Sequence, residues 1–67
     1  MTNTYLVQRF FRPKFTIDIF NFHDGATQFY VYGFEYTDEV GNYKREAGYL
    51  THHAALRAAV AYKRKVN

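Results

Sequence analysis

Three histidines and six carboxylates are the side chains of this 67-residue sequence best suited to acid–base or metal chemistry, and cysteine is absent. His52 and His53 are adjacent, which sets them about 100° apart on a helix, whereas a zinc helix needs an i, i+4 pair on one face. His23 is distant in sequence, and a three-ligand site would need all three imidazoles to converge without a thiolate. Asp38 and Glu39 are neighbours in a candidate loop, where like charges are solvated. Asp18 and Glu35 fall on candidate strands with no evident acid or base partner. No phosphate-binding glycine loop, P-loop or nucleophile elbow is present. A chain this short also leaves little room for a water-excluding pocket. These residues therefore predict no catalytic constellation, no metal site and no cofactor.

The more informative pattern is a segregation of charge and aromatic residues. Residues 15–43 hold nine of the fourteen Phe and Tyr residues and five acids, with no lysine or arginine. That segment carries a formal charge of −5, between flanks of +3 (residues 1–14) and +5 (residues 44–67). Aromatics on a small sheet suggest base stacking, but single-strand binders pair them with a basic groove. Here the charge among the aromatics has the wrong sign. The Lys63-Arg64-Lys65 run complements the negative end of a helix dipole, so the overall pI is weak support for nucleic-acid binding.

The elements that would position these residues read as one α+β domain spanning residues 1–67. Phe15 to Phe22 alternates with period 2, and His23-Asp24-Gly25-Ala26 carries a hairpin signal. Gln28 to Thr37 is a second strand, residues 37–42 a longer loop, and Tyr43 to Leu50 a third strand. Thr51 has the chemistry of an N-cap, and an alanine-rich helix follows over residues 51–66. The expected fold is thus an antiparallel three-stranded meander over residues 15–50 with one C-terminal helix packed on one face. Tyr5 to Phe11, within residues 1–14, is expected as a fourth edge strand stopped by Pro13, with an extended arm as the other choice. The absence of cysteine, of a signal-peptide pattern and of any run of about 18 apolar residues predicts a cytoplasmic protein without a membrane span.

One helix covers one face of such a sheet. Small helix residues and Gly33 suggest the Phe29/Val31/Gly33 side, shared with Ile17 and Ile19. The face bearing Phe20, Phe22, Tyr30, Tyr32, Phe34 and Tyr36 would then need another cover, either as an interface or as a second core layer. Tyrosine and arginine are enriched at protein-binding hot spots. The leading expectation is a non-catalytic protein-binding module, an inhibitor or adaptor, anchored by Tyr30, Tyr32, Phe34 and Tyr36 with Asp38 and Glu39 meeting a basic rim. A homodimer through the same face is a further reading. The alternative is DNA or RNA binding through Arg9, Arg12, Lys14, Arg57 and Arg64.

Three strands followed by Gly48-Tyr49-Leu50-Thr51 and an alanine-rich helix resemble the layout of AP2-type and phage integrase arm-binding domains. That resemblance covers the last forty or so residues and implies DNA contact through the sheet. The basic sheet face of those modules is missing here, so no residue role is carried over. In general character, a stand-alone domain of this size also resembles the small host-directed proteins of phages and mobile elements, including anti-CRISPR proteins. That likeness implies residence in a host cytoplasm.

Overall fold

A computed structural model describes residues 4–24 and 29–66, with the side chains of Asp24, Phe29 and Tyr30 set aside. Four strands, β1 (Thr4–Phe11), β2 (Phe15–Asp24), β3 (Phe29–Asp38) and β4 (Tyr43–Tyr49), form one antiparallel sheet in chain order. The helix α1 (His52–Val66) follows. The edge strand expected at Tyr5–Phe11 is therefore present. The turn expected at His23–Ala26 falls partly outside the described residues.

Each connection has a local cause. Arg12 N–H donates to the Phe15 carbonyl at 2.9 Å, closing the tight turn that carries Pro13. In the loop after β3, Asp38 Oδ1 accepts N–H bonds from Val40, Gly41 and Asn42 at 3.1, 3.0 and 2.9 Å. Gly41 takes the positive φ of 105° that this reversal requires. Thr51 Oγ1 accepts from Ala54 N–H at 3.0 Å, as an N-cap does. Lys63, Arg64 and Lys65 occupy the last turn of α1, where cations complement the dipole.

Two irregularities decide which side chains face the helix. Register shifts between Tyr32 and Gly33, so that Ala47 pairs with Gly33 and Tyr49 with Tyr32. Gly48, between them at φ 111°, absorbs the extra residue and turns Tyr49 under the helix beside Phe34. A second shift between Leu6 and Gln8 sets Leu6 beside Phe20 and Gln8 beside Ile19, on opposite faces. Strict period-2 reading fails at both places.

The core lies between α1 and the face formed by Ile17, Ile19, Phe34 and Tyr36, with Ala55 and Ala59 as the helix contribution. Ile17 pairs with Tyr36 and Ile19 with Phe34, so these four share a side. This corrects the expected face assignment. The helix covers Tyr32, Phe34 and Tyr36, not Val31 and Gly33. Joining Ile17 and Ile19 to Val31 and Gly33 would need a one-residue slip, which would move a strand's whole apolar set to the other side. Small alanines still permit close approach, but what they approach is two large aromatic rings. Gly33 is the flat spot for a different neighbour. A Cβ there would lie 2.7 Å from the Phe20 ring and 2.7 Å from the Glu46 carbonyl oxygen.

Candidate functional site

The face of the sheet away from α1 is built in cross-strand rows. Leu6, Phe20, Gly33 and Ala47 form an apolar row, with Thr4, Phe22 and Val31 beside it. Arg9, Asp18, Glu35 and Arg45 form a charged row on the other side of it. Asp18 and Glu35 are directly opposed like charges, an unfavourable pairing unless neutralised. Arg9 neutralises Asp18 through two bonds of 2.7 and 3.0 Å, and Asp18 in turn raises the Arg9 pKa above its ordinary value. Arg45 reaches Glu35 at 3.0 Å, and the Tyr43 hydroxyl donates to the same Oε2 at 3.3 Å. The row thus combines two bases and two acids, with both arginines engaged.

Arg45 has a second task. Its guanidinium lies 4.4 Å from the Phe20 ring centroid, so Phe20 is sandwiched between Gly33 below and Arg45 above. That stack leaves Phe20 only 5 % exposed although no helix covers it. Phe22 stacks beside it with ring centroids 6.2 Å apart. Leu6 is 56 % exposed and Phe11 74 % exposed. A cleft of about 290 Å³ opens between the apolar and charged rows, lined by Leu6, Arg9, Phe20 and Arg45 among others. The surface offers apolar area beside compensated charge.

The residues anticipated as partner anchors divide sharply. Phe20 and Phe22 lie on this helix-free face. Phe34 and Tyr36 are core residues, each 1 % exposed, and Tyr32 is half-buried against the His52 ring; they cannot serve as free anchors while α1 is docked. Tyr30 has no described side chain. Asp38 is occupied inside its own loop: it accepts from the Tyr36 hydroxyl at 2.9 Å and from Asn42 Nδ2 at 3.0 Å as well as from the three loop amides. These bonds, those from Asn42 foremost, hold its carboxyl below the usual range. Glu39 is exposed, and its N–H donates to the Lys14 carbonyl at 3.2 Å, joining two turns at one end of the sheet.

The anticipated basic residues also part company. Arg9 belongs to the compensated row. Arg12 lies 5.9 Å from the Phe10 ring centroid and shares a cleft with Lys63, and Lys14 shares another with Lys63. Arg57 and Arg64 are exposed on α1. Basic residues therefore gather at the end of the molecule where α1 stops, in clefts that Asp38 and Glu39 also line. Among the described residues no group of three His, Cys, Asp or Glu could hold a metal ion, and no helix is long and apolar enough to cross a membrane.

Sequence reasoning missed Leu6, Val31 and Arg45 as members of the open face. A usable signal was present: the acids at positions 18 and 35 and the arginines at 9 and 45 can pair only if all four share one wet face. Phe20 and Gly33 then follow by alternation. No protein family, curated protein or solved structure matches this chain.

Proposed function

We propose that the chain is a non-catalytic protein-binding module, an inhibitor or adaptor, that docks through the helix-free face of its sheet. The observation that carries this reading is the exposed apolar area of Leu6 and Phe11, with half-buried Phe22, beside a charge row whose arginines are already paired. Such a surface suits a protein interface, with an apolar centre and a hydrogen-bonding rim. It suits a phosphate backbone poorly, because a polyanion would have to displace Asp18 and Glu35 from Arg9 and Arg45. Phe20 and Phe22 remain from the expected anchors, joined by Leu6 and Val31.

The test compares affinity capture of host-cell proteins by the intact chain with capture by Leu6→Asp and Phe22→Ser. Both substitutions lie on the open side and should leave the circular-dichroism spectrum unchanged. Loss of the same captured protein by both variants is the expected outcome. Equal capture by all three sinks the proposal for this face.

The gathering of Arg12, Lys14 and Lys63 supports a second reading, binding of DNA or RNA by the basic end of the molecule. Few phosphates could be contacted there, so binding would be weak and steeply salt-dependent. Fluorescence anisotropy with labelled duplex and single-stranded probes at low salt decides it. No binding at micromolar protein removes this reading.

A further inference from the structure

We propose that the space beside α1 and above β1 is a docking groove for an acidic amphipathic helix of a partner protein. The groove lies on the helix side of the sheet, opposite the Leu6–Phe22 face, and is independent of it.

The helix layer is half filled. The α1 backbone lies over β3, flanked by β2 and β4, and does not approach β1. From β3 to β1 is two strand spacings, about 10 Å at roughly 4.8 Å each. Packed helices lie about 8–10 Å apart, so the free strip is one helix wide. Its floor and wall are apolar: Phe10, Phe15 and Ile17 from the sheet, Leu56 and Val60 from α1, around a cavity of about 240 Å³. The bond between His52 Nε2 and Gln8 Oε1, 2.9 Å long, closes one end. The stretch of α1 from there to Lys63 is about three helical turns long. A short helix fits this strip better than an extended strand, because a strand would leave backbone groups unpaired against apolar walls.

Charge selects the occupant. Neither β1 nor α1 contains a single acid. Arg12 and Lys63 line the open end. At about 100° per residue, Arg57 and Arg64 lie about 40–60° round α1 from Val60, toward solvent above the groove wall, within reach of a bound helix. The groove thus has an apolar floor and a mainly basic rim, with Asp38 and Glu39 beyond Lys63 in the neighbouring cleft. It is the complement of a helix with an apolar stripe edged by Asp and Glu. A second copy of this chain does not meet that requirement. Its helix would bring more bases against the same rim.

The test uses a display library of helical peptides with a fixed apolar stripe and randomised flanking positions, selected against the intact chain. Enriched flanks should be acidic. A synthetic peptide of the enriched sequence should perturb the amides of Phe10, Leu56 and Val60, and its binding should weaken as salt rises. In fluorescence anisotropy, the double variant Arg57→Glu, Arg64→Glu should bind it about ten-fold more weakly, an amount appropriate to two rim charges. Val60→Asp should abolish binding while circular dichroism keeps its helical signal. Four results overturn the proposal: no enrichment, neutral or basic flanks, perturbation confined to Phe22 and Val31, or unchanged affinity in the charge-reversal variant. Self-association of the chain alone that Val60→Asp abolishes would give the groove to a second copy and overturn it equally.

Discussion

Tyr36 and Asp38 show how one side chain can look like a surface anchor and belong to the interior. The Tyr36 ring is sealed beneath Tyr62 and beside Phe15, with only its hydroxyl reaching the Asp38 carboxylate. Burial, and then that carboxylate, push the Tyr36 pKa up to about 12. Tyr49 is also raised to about 12, first by its bond to Glu46 and then by burial. Both groups keep their protons longer when folded, so their contribution is intact below pH 10 or so and is lost as pH rises toward 12. Melting temperature should therefore fall across that window, and Tyr36→Phe or Tyr49→Phe should flatten the fall. Asp38 has the opposite sign. Its lowered folded pKa gives stability that is present above the ordinary carboxylate range and lost on acidification through the lower value. A pH series of thermal melts should show a smaller acid loss in Asp38→Asn than in the parent chain, the remainder including Glu46, whose carboxyl is also held below its ordinary value by its bond from Tyr49. At Gly33, a methyl group would strike the Glu46 carbonyl and the Phe20 ring together, so Gly33→Ala should cost about 1–3 kcal/mol by denaturant titration.

Among the elements, the helix and its N-cap were the most legible from sequence, because capping chemistry and composition act locally. Thr51 does what its position implied, and Thr51→Ala should cost about 1 kcal/mol in urea unfolding. The strands were legible as strands, yet their faces were not. Alternation gives each strand two sides without saying which side of its neighbour it joins. The pairing register supplies that, and it joins Ile17 to Tyr36. Bulges at Leu6–Gln8 and at Gly48 then swap sides within β1 and β4, where a period-2 rule continues unchanged. Gly48 looked like an ordinary junction residue, and its φ of 111° is the reason Tyr49 can reach Phe34. Gly48→Ala should cost about 1–3 kcal/mol through backbone strain alone. It should also loosen the Tyr49 ring, measurable as a change in its aromatic proton shifts. The Phe34 side chain separates core from interface directly. Phe34→Ala should cost about 3–5 kcal/mol and leave a chain of this size largely unfolded, with loss of its circular-dichroism signal. A folded Phe34→Ala protein that had lost only a partner would contradict the core placement.

At the scale of the molecule, the acidic aromatic segment and the basic flanks are not two ends of a dipole. Folding interleaves them. Arg9 from one flank and Arg45 from the other meet Asp18 and Glu35 across the middle strands. Among the described residues, the cations at the end of α1 and along its β1 side form no ion pair as short as these, although Asp38 and Glu39 share the cleft with Lys63. Asp18 and Glu35 are thus positioned to hold the flanking strands to the middle of the sheet. Reversing one partner should accordingly change the sheet more than the surface. Asp18→Lys places a cation between Arg9 and Glu35, repelling the edge strand while adding positive charge to the open face. If the pairing role dominates, hydrogen exchange at β1 amides should accelerate in this variant, and adding Arg9→Glu should restore protection by recreating an ion pair of opposite sense. Protection unchanged in the single variant would mean that β1 is held by its backbone ladder and apolar contacts alone. The acids would then be free to act on a partner.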